Sequence, residues 1–258
     1  IMWSMRKKVP YLFFFFVISG LSSQAQTLKF EHYNDDNGLS HSSIRHILQD
    51  ENGFLWFGTR DGLNKYDGYQ FTIYKSKFSQ QETISSNLIY AITEDTAQNI
   101  WVGTTGSGLS KFNAETEEFT NYAHDSKDET SLSNNLITAL FTDSRGRIWI
   151  GTSEELNVID PSATPIVFHK YPIATHTDIK IITKIREDKK GNIWVGSREG
   201  LFTSYPSETL DGFSFERKKI AEDVKYEAIV SFDIDESDRL VVLSYQGLFI
   251  QNEGHEIS

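Results

Sequence analysis

Apolar residues along this chain come in short runs, cut by clusters of Gly, Asn, Asp and Ser, and one such run recurs. Phe54-Leu55-Trp56-Phe57-Gly58-Thr59 returns as Asn99-Ile100-Trp101-Val102-Gly103-Thr104, as Arg147-Ile148-Trp149-Ile150-Gly151-Thr152 and as Asn192-Ile193-Trp194-Val195-Gly196-Ser197. A decayed fifth copy, Arg239-Leu240-Val241-Val242-Leu243-Ser244, has Val for Trp and Leu for Gly. The Trp positions are spaced by 45, 48, 45 and 47 residues, and Trp3 is the one tryptophan outside the frame. A steady period of this length marks a repeat architecture in which each unit is one supersecondary element.

Each unit reads as four short strands. In the third, an apolar run over 136–142 meets a polar turn at Asp143 to Gly146, followed by the Trp strand and two further runs near 156–159 and 165–170. Such runs, separated by turn residues, indicate an all-β protein, and no sustained helical period competes. Ile100-Trp101-Val102 and Ile148-Trp149-Ile150 are apolar on both strand faces, so they predict strands buried on both sides. Four-stranded blades set radially, each sandwiched between two others, supply that environment. The expected fold is a β-propeller over 26–258, with blades near 39–78, 84–127, 132–173, 179–219 and 227–258. The fifth blade stops short of its fourth strand, and residues 27–33 look like the missing strand. The ring is thus expected to close through 27–33 at five blades, or to be part of a larger ring.

The motif residues have mechanical readings. Residues two apart on a strand share a face. This pairs Trp56 with Gly58, Trp101 with Gly103, Trp149 with Gly151 and Trp194 with Gly196. The ring fills the space between blades, and the glycine leaves room for a neighbour. Asp50, Asp95, Asp143, Asp188 and Asp235 each stand six residues before the Trp position, and Gly53, Gly146 and Gly191 stand three before it. Asp opening and Gly closing a hairpin turn explain that spacing. One carboxylate per hairpin would make a poor calcium cage.

Charge and composition remove chemistries. With 36 acidic and 25 basic side chains the net charge is −11, which argues against nucleic-acid binding by this segment. The absence of cysteine excludes disulfides, thiol catalysis, Cys-ligated metals and a lipoprotein anchor. Arg6-Lys7-Lys8, the apolar run from Val9 to Ile18 and the small-residue close Ser23-Gln24-Ala25 have the order of a secretory signal peptide. The apolar run is shorter than the roughly 20 residues of a membrane span. Residues 1–25 are therefore expected to be upstream residues and a leader cleaved after Ala25, leaving an exported soluble part.

The first unit, Asn37-Gly38-Leu39-Ser40-His41-Ser42-Ser43-Ile44 followed by the stretch from Gln49 through Trp56-Phe57-Gly58-Thr59-Arg60-Asp61-Gly62-Leu63 to Gly68, resembles the first repeat of the two-component regulator propeller family. The likeness extends from about Thr27 to the end. It implies a seven-bladed ring, of which these five blades are a fragment, in the periplasmic sensor part of hybrid histidine kinases common in Bacteroidetes. It also implies further parts in the same receptor: a downstream propeller, a β-sandwich, a spanning helix and a kinase core, in an inner-membrane protein that forms a homodimer. Glycans or their breakdown products are the implied ligands. No cofactor is expected, and none of the signalling machinery lies in these residues.

An enzyme reading fares poorly. The acid pairs Glu117-Glu118, Glu154-Glu155, Glu187-Asp188 and Glu222-Asp223 are sequence neighbours, whereas glycosidases hold two carboxylates across a cleft. His41 and His46 lack a helical zinc spacing and an acidic third ligand. Neither a phosphate loop nor a nucleophile elbow appears. Binding is the remaining chemistry. The loops between strands two and three differ from copy to copy on a constant frame, as a recognition surface would. They offer Arg60, Asp61, Ser107, Glu154, Arg198, Glu199 and Tyr245 as candidate ligand-binding residues for an oligosaccharide. The blade-joining loops add Ser40-His41-Ser42, Ser86-Asn87 and Asn134-Asn135, which suit turns equally well. Two functions follow: a ligand-sensing module, or a structural or dimerisation propeller that touches no ligand.

Overall fold

A computed structural model describes residues 29–77, 82–173, 181–220 and 228–251. The expected leader lies outside the described residues. The chain divides into two units, 1–32 and 33–258, and every strand belongs to the second. The first blade pairs β1 (Ile44–Gln49), β2 (Leu55–Thr59), β3 (Gly62–Tyr66) and β4 (Phe71–Tyr74) in that order. The second repeats this with β5 (Ile89–Glu94), β6 (Ile100–Thr104), β7 (Leu109–Phe112) and β8 (Phe119–Tyr122). The third contains β9 (Ile137–Thr142), β10 (Ile148–Thr152), β11 (Leu156–Ile159) and β12 (His169–Tyr171). The fourth contains β13 (Ile182–Glu187), β14 (Ile193–Ser197), β15 (Gly200–Ser204) and β16 (Glu216–Lys218). The fifth has β17 (Ile229–Ile234), β18 (Leu240–Ser244) and β19 (Gly247–Ile250). All ladders are antiparallel. The fold is the expected β-propeller.

Inner strands pack in sequence, β1 on β5, β5 on β9, β9 on β13 and β13 on β17, and no comparable packing joins β17 to β1. The ring is open. The strand expected over 27–33 is missing from residues 29–33, which join no ladder; 27 and 28 lie outside the described residues. Tyr33 instead sets its ring 5.4 Å from Tyr66 and 5.7 Å from Phe71, and its hydroxyl lies 2.9 Å from that of Tyr66. Aromatic contact thus ties Tyr33 to the first blade, and the fifth sheet has three strands among the described residues.

The repeated motif is an interlock between blades. Trp56, Trp101 and Trp149 are buried, and rings from strand four of their own blade or from the next blade lie against them: Tyr74 and Phe112, Tyr122, and Phe213 respectively. Trp194 is only half-buried, and among the described residues the sheet that follows it has three strands. A methyl group on Gly58, Gly103, Gly151 or Gly196 would stand 2.7, 2.4, 2.6 or 3.0 Å from Cγ2 of Ile89, Ile137, Ile182 or Ile229. Each glycine therefore admits the isoleucine that begins the next blade. Leu243, at the glycine position of the fifth copy, is exposed.

The aspartates do more than open turns. Each accepts the backbone N–H four residues on, as a turn residue should, from Phe54, Asn99, Arg147, Asn192 and Arg239. The indole N–H also donates to the same carboxylate, 2.7 Å for Trp56 to Asp50, 2.8 Å for Trp101 to Asp95 and Trp149 to Asp143, and 2.9 Å for Trp194 to Asp188. Where Val241 replaces Trp, the Arg239 Nε donates to Asp235 instead at 2.8 Å.

Candidate functional site

Backbone bonds place the variable loops on one face of the ring. Arg60, Thr105, Ser153 and Arg198 donate their N–H groups to Ser43, Leu88, Leu136 and Ile181, at or just before the start of their own inner strands. Gly62 and Gly106 donate forward to Asn87 and Asn135 in the following blade-joining loops, at 2.8 and 3.1 Å. The loop joining strands two and three is held by the hydroxyl that ends strand two. Thr59, Thr104, Thr152 and Ser197 donate to the carbonyls of Gly62, Gly108, Glu155 and Gly200 at 2.8–3.2 Å. Asp61, Glu154, Glu199 and Gln246 donate their N–H groups to the same ring of hydroxyls, completed by Ser244. The motif's final Thr or Ser is thus the turn organiser, a role its sequence position alone did not announce.

The candidate residues fall into two groups on that face. Asp61 is engaged: its carboxylate takes Lys75 at 2.6 Å and the Asn87 amide at 3.2 Å. Glu154 accepts the Asn134 amide at 2.9 Å. These two carboxylates stitch loop to loop. Ser107 and Glu199 are half-buried within their turns. Arg60, Arg198 and Tyr245 project outward, the tyrosine 75% exposed. In the blade-joining loops, the Asn87 and Asn135 side chains accept the N–H groups of Ser76 and His124 at 2.7 Å, and Ser40 pairs with Thr59 at 2.9 Å. His41 Nδ1 accepts the Ser43 N–H, and Ser42 donates to Asp35. These loops are held by mutual hydrogen bonds.

The loop comparison missed the inner strands. Each slips register by one residue at the same place, so that Arg45, Tyr90, Thr138, Thr183 and Val230 are the extra residues of five β-bulges. Bulges turn a side chain away from the ladder, and they recur beside binding sites. A cavity of about 290 Å³ opens at the centre of the ring, lined by four of these five together with His46, Lys184 and Arg186. Burial first, then Arg186 and Lys184, hold His46 below the usual histidine range. The Arg45 guanidinium lies 5.5 Å over the Tyr90 ring. The five bulge residues each stand eleven positions before the Trp position, which was the available signal.

Among the described residues no helix is long and apolar enough to cross a membrane. The pattern described as two component regulator propeller matches residues 38–61, 83–106, 131–154 and 179–199, one stretch in each of the first four blades. A histidine kinase of Formosa agariphila, Histidine kinase P4, is 46% identical over 74 residues, which are 29% of this chain and 5% of that protein. The extracellular domain assigned to the hybrid two component system BT3049 of B. thetaiotaomicron superposes with a TM-score of 0.71 at 25% identity, over 87% of this chain and 30% of that one. Virginiamycin B lyase of Staphylococcus aureus shares the fold alone, with a TM-score of 0.60 at 10% identity over 83% of this chain and 71% of that one. The chain spans only a small part of the kinase-related proteins it matches.

Proposed function

We propose that this chain, whose first four blades each match the two component regulator propeller pattern, is the extracytoplasmic sensing part of a two-component receptor. In this reading it is exported by its leader and recognises a glycan or a glycan breakdown product in the periplasm. It acts without catalysis and passes the signal to a kinase core in the same protein, whose further propeller, β-sandwich and dimeric partner complete the receptor. The observation that carries it is the face described above: constant Trp, Gly and Thr positions hold loops whose exposed ends differ, with Arg60, Arg198 and Tyr245 free to meet a ligand. Rigid strands carrying variable loops suit recognition.

The test pairs stability with signalling in the full-length receptor. Replacing Arg60 and Arg198 together by Ala should change stability by roughly 0.5 kcal/mol or less per site, as exposed positions do. The same variant should lose its transcriptional response to an oligosaccharide that activates the parent. A second reading has its own support, since Asp61 and Glu154 are consumed in loop-to-loop contacts. A normal response from the double variant would favour that scaffold reading. Export carries a separate expectation: mass spectrometry of the mature protein should find its N-terminus at Gln26, and an uncleaved leader would refute the processing.

A further inference from the structure

We propose that the centre of the ring is a binding site for a small carboxylate-bearing ligand about the size of one sugar ring, held by Arg45, His46, Thr138 and Thr183. Three independent observations meet there. The first is positional: the five bulges fall at the same place in each inner strand, and four of their residues, Arg45, Tyr90, Thr138 and Thr183, line the cavity with differing chemistry. A constant frame with variable content is the arrangement that marks the loops as recognition elements, and here it lines a half-open pocket.

The second is unmet hydrogen bonding. Among the described residues, five buried side-chain polar atoms have no partner, and three of them, His46 Nδ1, Thr138 Oγ1 and Thr183 Oγ1, belong to side chains that line this one cavity. Thr138 is 8% exposed. Unpaired polar groups in such a place are costly unless something fills them. The third is charge. The lining contains Arg45, Lys184 and Arg186 with His46, and no carboxylate, in a chain of net charge −11. Asp233 on β17 answers Lys184 at 2.7 Å and Arg186 at 3.2 Å, which leaves the balance around the cavity positive. Arg45 is placed over Tyr90, which leaves the outer edge of its guanidinium to meet a planar carboxylate. At about 290 Å³ the cavity is at the small end for ligand sites, which limits the occupant to a monosaccharide-sized acid.

The experiment titrates the full-length protein with glucuronate, galacturonate, glucose and inorganic phosphate by calorimetry. A uronate should bind and glucose should not. Arg45→Ala should weaken uronate binding about tenfold or more, as loss of a charge-assisted hydrogen bond does. Thr138→Val and Thr183→Val, which keep side-chain shape, should each weaken it by about threefold or more, as loss of a neutral hydrogen bond does. Arg45→Lys should recover part of the loss. A thermal melt of each variant separates lost binding from lost fold. Failure of both uronates to bind, equal binding of glucose, phosphate binding as tight as the uronates, or uronate binding unchanged in Arg45→Ala would each overturn the proposal. It extends the sensing reading without depending on it. A uronate that binds the purified protein and leaves the receptor silent keeps the site and removes the signal.

Discussion

Trp149→Ala is expected to cost about 3–5 kcal/mol, the range for deleting a buried large aromatic ring. The side chain is fully buried, with Phe213 edge-on at 4.7 Å and Phe215 at 6.0 Å from the following blade. Its cluster includes Val158 of its own blade and Ile182, Ile185 and Phe202 of the next. The cavity would therefore open between blades, where neither can collapse without moving the other. The hydrogen bond to Asp143 would also be lost, yet that carboxylate keeps the Arg147 Nε at 2.6 Å. Trp56→Ala lacks this relief: Asp50 has no arginine at the matching place, where Phe54 stands, and its buried oxygen would lose the indole. Its cost should exceed that of Trp149→Ala by about 1–3 kcal/mol, the penalty of an orphaned buried acceptor. Native-state hydrogen exchange in the full-length protein reads both, because it reports blade amides separately from other domains. Unchanged protection in β9–β11 and β13–β15 of Trp149→Ala would contradict the interlock between the third and fourth blades.

Much of this architecture was legible because the motif has a single mechanical job repeated four times. A tryptophan and a glycine on one strand face, at a near-constant period, admit few packings other than blades in a ring. The indole-to-aspartate bond was not legible, since a six-residue spacing shows a turn but not how the ring folds back over it. In the decayed copy Val241 replaces Trp while Asp235 persists, held by Arg239 as Asp143 is held by Arg147. Residues 29–33 join no ladder, and a stretch of alternating apolar and polar residues does not state which partner it meets: Tyr33 finds two aromatic rings on the first blade. At the face, sequence variation picked out loop content but not which side chains are already engaged. Asp61 and Arg60 are adjacent in sequence, yet Asp61 is paired with Lys75 and Arg60 is exposed. The bulge positions stayed hidden because a register slip belongs to the ladder, and the five residues look unrelated until the ladder aligns them.

The glycine interlock makes a graded prediction that no other reading of the motif makes. A methyl group at Gly103 would lie 2.4 Å from Ile137 Cγ2 and 2.9 Å from its Cβ, distances that real atoms do not tolerate. Ile137 is fully buried, so its branch has nowhere to retreat without displacing the third blade. Gly103→Ala should therefore destabilise by about 1–3 kcal/mol through overpacking, although alanine is otherwise a mild replacement. The approach loosens at Gly151 and Gly58, at 2.6 and 2.7 Å, and most at Gly196, at 3.0 Å. The cost of the Ala substitution should fall in that order. Ile137→Ala alone should cost about 2–5 kcal/mol by opening a cavity. Combined with Gly103→Ala it should cost less than the sum, because the new methyl occupies space the isoleucine vacates. A shortfall of about 0.5–3 kcal/mol is the size such neighbouring pairs show. Strictly additive costs, or an effect at Gly196 as large as that at Gly103, would mean that the glycines serve strand conformation and not the entry of the next blade. Leu243 is the internal control: it occupies the glycine position and is exposed, and Leu243→Ala should change stability by less than any of the four glycine substitutions.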